Sequence, residues 1–258
     1  ILSKGMTNGK YNDLLAMEKL AHNAVITTSG YDSLVTDSAN SASAYATGHK
    51  SVVNAMGVYE DSTKDPLDDP KVENVSEILK RTRGMSIGLV TQAESTDATP
   101  AAMVGHPRRR AAQDFLAKDY LEDYHRPDVI LGGGSARYIP KDVPGSKRKD
   151  QVNVIEEFKN KGYTFVDNST DLMKAPTDKP LLGLFHTSTM NVYIDREMEK
   201  NPKVLKGFTD QPNLMNMTKK TLDILSKNPN GFFAMIEGAS IDKQLHVMDW
   251  QRAAYDTI

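Results

Sequence analysis

Short apolar segments with strand character alternate with helical segments along most of this chain, and this alternation restricts the folds that it can adopt. The predicted strands cover residues 24–28, 33–36, 85–91, 128–131, 163–166, 181–185 and 232–236. The predicted helices cover residues 11–22, 38–47, 72–83, 111–124, 152–161 and 214–227. Such alternation is typical of α/β proteins, in which helices cover both faces of a mostly parallel sheet. We therefore expect one α/β domain over residues 1–258, with three layers around a mostly parallel central sheet.

The composition excludes several classes of function. Lys and Arg total 32 against 34 Asp and Glu, so the net charge of −2 provides no overall attraction to nucleic acid or to an anionic membrane. The absence of cysteine excludes disulfides, cysteine nucleophiles and thiolate metal sites, so any zinc must be bound by histidine and carboxylate groups. No apolar run approaches the roughly 18 residues that span a bilayer. We expect no nucleic-acid partner and no membrane span.

The segment from Val35 to Gly48 contains the first candidate for chemistry. Asp37 and Ser38 stand where a helix is predicted to begin, and Gly48 stands where it is predicted to end. A serine hydroxyl at this position faces unpaired backbone N–H groups and the positive end of the helix dipole, which favours a phosphate. Ser38 is therefore a candidate nucleophile, although helix capping is the commoner use of serine at such a position.

A second polar cluster follows the strand predicted at residues 85–91. Asp97 and Thr99 offer oxygen atoms of the kind that Mg²⁺ prefers, and Pro100 suits the first turn of a helix. The alternative is a capped junction between a loop and a helix. The run Arg108 to Arg110 is either a solvated surface or the source of an arginine that binds phosphate oxygens in bidentate fashion.

A third cluster follows the last predicted strand. Glu237 ends that strand, and Asp242 and His246 follow at a spacing of four, which places both side chains on one helical face. A carboxylate and an imidazole on one face form half of a zinc site, and the alternative is an exposed Asp–His pair. The remaining histidines stand in no ligand spacing and are interpreted as structural: His22, His49, His106, His125 and His186.

A glycine run, Gly132 to Gly134, follows the strand predicted at residues 128–131. It lacks the spacing of a dinucleotide fingerprint and the lysine of a P-loop. The run is therefore predicted to be a tight turn.

Taken together, these segments resemble the alkaline phosphatase family, the phosphomonoesterases with two zinc ions and one magnesium ion. The resemblance rests on Thr36-Asp37-Ser38-Ala39 with Thr47-Gly48, on Asp97-Ala98-Thr99-Pro100-Ala101, and on the segment from Glu237 to His246. These three segments occur in the order that the family shows. The resemblance implies an alkaline-phosphatase-like fold and hydrolysis of small phosphomonoester substrates through a phosphoserine intermediate.

The resemblance also implies a role for each matching residue. Ser38 would be the nucleophile. Asp242 and His246 would bind zinc, and Thr99 and Glu237 would bind magnesium. Asp97 would lie in or beside the magnesium shell.

Lys243 together with Asp97 resembles the bacterial subtype, in which this pair holds water near magnesium and phosphate. Arg110 stands at the family's distance from Asp97 for the arginine that binds phosphate, with Arg108 and Arg109 left as alternatives. A periplasmic or secreted location and a homodimeric full-length enzyme are further implications of the resemblance.

Some segments of the family have no counterpart in this sequence. The family has an Asp-Gly-Met-Gly segment before the serine, and an Asp-His pair and a further histidine after the third segment. Their absence implies an internal fragment, incomplete at both ends, that we expect to be inactive or nearly so. Two alternatives stay open: a related metal-dependent phosphodiesterase or sulfatase-type hydrolase, and a non-catalytic phosphate-binding α/β module.

Overall fold

The computed structural model describes residues 19–22, 24–59 and 63–257, and its strands form a parallel sheet. The strand order is β3-β4-β2-β1-β5. The strand bounds are β1 Ser86–Glu94, β2 Val129–Gly133, β3 Thr164–Val166, β4 Leu181–Leu184 and β5 Phe232–Glu237. The predicted parallel sheet is thereby confirmed.

Helices precede, connect and follow these strands. Their bounds are α1 Ser38–Thr47, α2 Val75–Arg83, α3 Ala98–Ala101, α4 Gln113–Asp119, α5 Val154–Asn160, α6 Ser169–Lys174, α7 Pro202–Leu205, α8 Leu214–Leu225, α9 Ala239–His246 and α10 Trp250–Thr257. A 3₁₀ turn covers Ser135–Arg137, and a π-helix covers Ile194–Glu199. No helix within the described residues is long and apolar enough to cross a membrane.

The chain divides into two compact units. The first, here called the sheet unit, consists of Thr28–Met190 and Asp210–Glu237. The second, here called the terminal unit, contains among the described residues Asn191–Thr209 and residues 238–257.

Helices cover both faces of the sheet in the sheet unit. On one face Leu89 and Ile130 belong to a buried cluster with residues of α1, α4 and α5. On the other face Val90 and Leu131 belong to a buried cluster with residues of α6 and α8. Because successive residues of a strand point to opposite faces, both faces need a helical cover, and the three predicted layers are confirmed.

In the terminal unit, Arg252 joins α10 to the π-helix. Its guanidinium Nη2 lies 3.0 Å from Asp195 Oδ1 and 3.1 Å from Glu199 Oε1, while Nη1 lies 2.9 Å from Asp249 Oδ2. The Tyr193 and Tyr255 rings stack with their centroids 6.2 Å apart. The guanidinium group has several N–H donors in a fixed plane, so one arginine side chain can form ion pairs with all three carboxylates.

Several local predictions were wrong. No strand forms at residues 24–28 or 33–36, where Val25 is 100% and Val35 84% exposed. A strand is stabilised by a neighbouring strand, and these apolar residues have none within the described part of the chain. The helix α6 was not predicted, and the predicted helix over residues 11–22 falls mostly outside the described residues.

The glycine run is also not a simple turn, because Gly132 and Gly133 still belong to β2 and only Gly134 turns, with φ of +89°. A Cβ on Gly133 would lie 2.0 Å from the carbonyl oxygen of Ser188. The glycine therefore permits a close approach between two backbone segments.

Candidate functional site

The residue that caps the start of α1 is Asp37 and not Ser38. Asp37 is the N-cap, and its Oδ1 accepts a hydrogen bond of 3.2 Å from the backbone N–H of Asn40. The Asn40 side chain in turn accepts the N–H of Asp37 at 3.0 Å. Because this reciprocal capping box satisfies the helix end, the exposed hydroxyl of Ser38 is not the cap.

One arginine connects the start of α1 to the segment after β1. Arg110 Nη1 donates to Ser38 Oγ at 2.8 Å and to Asp37 Oδ2 at 3.1 Å, and Nη2 donates to Asp97 Oδ1 at 2.7 Å. Arg108 instead donates to the carbonyl of Thr63 at 3.1 Å. The structure therefore places Arg110, among the three consecutive arginines, beside the candidate nucleophile.

Asn54 fixes the backbone that carries this arginine. The N–H of Arg110 donates to the Asn54 carbonyl at 2.9 Å, and the N–H of Asn54 donates to Asp37 Oδ1 at 3.1 Å. Asn54 has φ of +71°, a left-handed conformation that asparagine tolerates better than most residues. A backbone bond of 3.0 Å from Met56 N–H to the Pro107 carbonyl continues this pairing.

The charges at this position support one another. Burial acts to lower the pKa of Arg110, but the carboxylates of Asp97 and Asp37 outweigh burial and raise it. Burial acts to raise the pKa of Asp37, but the backbone N–H groups of Asn54 and Asn40 outweigh burial and lower it. The guanidinium is therefore a fixed cation at hydrogen-bond distance from Ser38 Oγ.

The other candidates of the sheet unit lie at the carboxyl end of β5 or beyond that of β1. Asp97 is the N-cap of α3, its Oδ1 accepting the Ala98 N–H at 2.8 Å, and Thr99 lies partly buried in that helix. Thr91 pairs with Glu237 in the β1–β5 ladder, and its hydroxyl donates to Glu237 Oε2 at 2.6 Å. Ligand-binding residues of open parallel sheets lie at such strand ends.

The remaining candidates belong to α9 of the terminal unit. Asp242 Oδ1 lies 3.5 Å from His246 Nε2, and both side chains are exposed. Lys243 lies between them in the sequence and is partly buried. The carboxylate and the imidazole are thus adjacent on one helical face.

The structure also brings together three residues that sequence spacing did not predict. Glu77, His106 and His125 are buried and present ligand atoms within 4.8 Å of one another. No other set of three such side chains within the described residues meets this distance.

Our interpretation of His106 and His125 as structural rested on the absence of ligand spacing. These residues are distant in the chain, and the fold alone makes them neighbours. The sequence around them contains no signal from which the cluster could have been found.

Comparison with known proteins identifies the family. The family model for alkaline phosphatase matches residues 2–258. The chain belongs to the alkaline phosphatase family. It is 35% identical to alkaline phosphatase 3 of Bacillus subtilis over 219 residues, which cover 83% of this chain and 41% of that protein.

Solved structures of alkaline phosphatases share the fold. The Thermus thermophilus enzyme superposes with a TM-score of 0.83 at 26% identity, covering 99% of this chain and 49% of that chain. A variant of TAB5 alkaline phosphatase with Mg bound in its M3 site superposes with a TM-score of 0.70 at 27% identity, covering 90% of this chain and 59% of that one. The chain thus spans about half the length of the alkaline phosphatases that it matches.

Proposed function

We propose that this chain carries part of the catalytic centre of a phosphomonoesterase in which Ser38 is the nucleophile. The observation that carries the proposal is the hydrogen bond of 2.8 Å from the Arg110 guanidinium to Ser38 Oγ at the N-terminus of a ten-residue helix. A cation and the positive end of a helix dipole beside a hydroxyl favour a bound phosphate.

The proposed reaction has two displacements. Ser38 Oγ attacks the phosphorus of the monoester, the bond from phosphorus to the alcohol oxygen breaks, and the alcohol leaves with a proton. Water then attacks the phosphoserine, the serine oxygen leaves, and inorganic phosphate is released. Arg110 holds the non-bridging phosphate oxygens through both steps and offsets their charge.

The donor types at the other candidate positions fit the ions that the family implies. The adjacent carboxylate and imidazole of Asp242 and His246 suit zinc, and the oxygen atoms of Thr99, Glu237 and Asp97 suit magnesium. We assign Lys243 to hold water near the magnesium and the phosphate. Two zinc ions and one magnesium ion, when bound, would supply Lewis-acid stabilisation of the attacking and leaving oxygens.

A periplasmic or secreted location and a homodimer belong to the same proposal and rest on family membership. Because the chain spans about half of its relatives, the activity of the whole protein is also a proposal.

The direct test is to trap the covalent intermediate. The whole protein to which this chain belongs, supplied with Zn²⁺ and Mg²⁺, is incubated with p-nitrophenyl phosphate, quenched in acid and digested. We expect mass spectrometry to locate one phosphate on Ser38, with none in Ser38→Ala and none after chelation. Ser41→Ala, in the same helix, is the matched control and should retain the phosphorylated Ser38.

A second measurement separates the enzyme from the non-catalytic phosphate-binding module. Titration of inorganic phosphate should show binding that weakens after chelation. Phosphate binding that is indifferent to chelation, together with no phosphoserine, would contradict the enzyme and support the module.

A further inference from the structure

A cluster of three metal-ligating side chains lies inside the sheet unit and uses none of the residues proposed for phosphate chemistry. Glu77 comes from α2, His106 from the segment after α3, and His125 from the segment after α4. Their exposed fractions are 5%, 5% and 0%. Glu77 Oε1 lies 2.8 Å from His106 Nε2 and 3.4 Å from His125 Nδ1.

A backbone carbonyl fixes the tautomer of His106. Nδ1 lies 2.7 Å from the carbonyl oxygen of Gly57, which can only accept, so Nδ1 carries the proton. In the neutral ring, Nε2 then presents its lone pair to Glu77 Oε1.

A second carbonyl fixes His125 in the opposite sense. Nε2 lies 2.7 Å from the carbonyl oxygen of Asp119, so Nε2 carries the proton and Nδ1 presents the lone pair. That Nδ1 atom is buried and has no hydrogen-bond partner among the residues that the structure describes. Both imidazoles therefore direct lone pairs toward one carboxylate oxygen.

The carboxylate is oriented as well. Glu77 Oε2 accepts the backbone N–H of Asn74 at 2.9 Å in the capping box of α2, which leaves Oε1 for the two imidazoles. Metal-binding histidines characteristically donate their other ring N–H to a carbonyl or a carboxylate, and metal-binding carboxylates are themselves hydrogen-bonded. All three side chains of the cluster follow this pattern.

We propose that Glu77, His106 and His125 bind a divalent transition metal ion of the zinc class at a site separate from the phosphatase centre. Bonds of about 2.0–2.1 Å in a tetrahedron separate donor atoms by about 3.3 Å. The separation of 3.4 Å between Glu77 Oε1 and His125 Nδ1 already matches this value, while the contact of 2.8 Å to His106 Nε2 must widen.

A neighbouring cavity supplies access and a fourth ligand. The cavity has a volume of about 520 Å³, and Glu77 and His106 lie in its wall. Among the described residues of the wall, carboxylates and cations are equal in number, so their charges balance and do not repel a divalent ion. The carboxylates are Glu73, Glu77 and Asp123, and the cations are Lys71, Lys80 and Arg81. Water from this cavity would complete the coordination.

The competing occupant is a proton. A proton on His106 Nε2 would explain the short contact with Glu77, but it would leave His125 Nδ1 buried without a partner. A metal ion satisfies both nitrogen atoms and the carboxylate at once. Unpartnered buried polar atoms are costly, which favours the metal.

The test uses the full chain in a background that lacks the zinc donors of α9. Asp242→Asn with His246→Asn removes two exposed side chains, and chelation strips the protein before titration with Co²⁺. We expect one equivalent to bind with the visible absorption bands of four-coordinate Co²⁺, and Zn²⁺ to abolish the bands. Absence of these bands would overturn the proposal and leave the proton as the occupant.

Variants then assign the ion to the cluster. Adding His125→Asn to this background should weaken Co²⁺ binding by about 100-fold or more. Loss of a residue that only supports a metal ligand already weakens binding by about 10- to 100-fold, so loss of a ligand should reach at least the upper end of that range. His49→Asn, at an exposed histidine, is the matched control and should change nothing. Equal Co²⁺ binding in both variants would place the ion elsewhere and overturn the proposal.

A measurement without substitutions in the cluster covers the case in which the buried His125 variant does not fold. Zn²⁺ added to the same background should shift the NMR resonances of His125 Nδ1 and His106 Nε2 together. Unchanged resonances would overturn the proposal. Phosphate chemistry at Ser38 is a separate measurement, and its failure would not affect this result.

Discussion

At the scale of single residues, Arg110 is the centre of the candidate phosphate site. Its guanidinium bonds Ser38, Asp37 and Asp97 at distances from 2.7 to 3.1 Å. A lysine has the charge but not the planar fork, so it cannot reproduce all three bonds.

Replacement of Arg110 by lysine should therefore weaken phosphate binding by about 10- to 100-fold, the equivalent of losing a charged hydrogen bond worth about 1.5–3 kcal/mol. The measurement is calorimetric titration with inorganic phosphate. Arg109→Lys, at the exposed neighbour, is the control and should leave the affinity unchanged. Equal losses in both variants would mean that only the general positive charge of this segment matters.

Asp150 provides a residue-scale prediction for stability and pH. Arg148 donates to both of its carboxylate oxygens at 2.7 Å, and this hydrogen bonding lowers the pKa of Asp150. A carboxyl whose folded pKa lies below its unfolded pKa stabilises the fold above the unfolded value of about 3.9, and the stabilisation is lost as pH falls through the folded value.

We expect Asp150→Asn to lower the free energy of unfolding at pH 7 by about 0.5 kcal/mol, a small value because half of this side chain is exposed to screening solvent. The difference in the free energy of unfolding between Asp150→Asn and the unsubstituted protein should shrink below about pH 4, where the aspartate of the unfolded chain begins to gain a proton. Urea unfolding at pH 7 and at pH 3 measures both. A difference that grows at the lower pH would contradict the assignment.

At the scale of elements, α2 and the turn at Gly57 build the Glu77 cluster. The carbonyl of Gly57 fixes the His106 ring, and the glycine has φ of +58°. A Cβ at this position would lie 2.6 Å from His106 Nδ1. Glycine here satisfies both the backbone conformation and the approach of the ring.

Gly57→Ala should therefore displace His106 and weaken Co²⁺ binding by about 10- to 100-fold, the range for loss of an outer-shell partner. It should also destabilise the fold by more than the roughly 1–2 kcal/mol of left-handed strain. The matched control is Gly162→Ala, because that glycine has φ of +89° and a Cβ there meets no atom within 4 Å. Urea unfolding measures the loss in free energy of unfolding for each variant, and the difference between the two losses is the cost of the clash with His106. Equal losses in both variants would contradict the clash.

At the scale of the whole molecule, the two proposals describe separate metal sites. When the concentration of free ion is 100 times the dissociation constant of a site, binding at that site stabilises the folded state by about 2.7 kcal/mol. Independent sites contribute additively when they share no partners.

We expect Zn²⁺ to raise the free energy of unfolding of the stripped protein in two separable increments. His246→Asn should remove one increment, Glu77→Gln the other, and the double variant both. The measurement is urea unfolding with and without saturating Zn²⁺. A single increment lost in both single variants would show that the two sets of residues act on the same ion.

The extent to which sequence predicted this protein follows from the distance over which each interaction acts. The strands of the parallel sheet, the limits of α1 and the end of α2 were predicted because periodicity, Asp37 and Gly84 act over a few residues. The start of α2 was predicted at residue 72 and lies at Val75, after the N-cap Asn74. The strand predicted at residues 24–28 was wrong because β-structure also requires a neighbouring strand.

The sequence by itself determined the α/β pattern, the family and the candidate roles of Ser38, Asp97 and Glu237, since these depend on local order along the chain. Only the tertiary structure decided that Asp37 rather than Ser38 caps the helix, and that Arg110 is the arginine beside the hydroxyl. The tertiary structure alone forms the buried cluster of Glu77, His106 and His125, because these residues come from segments far apart in the sequence. No spacing rule can bring such residues together; the packing of helices on a sheet does.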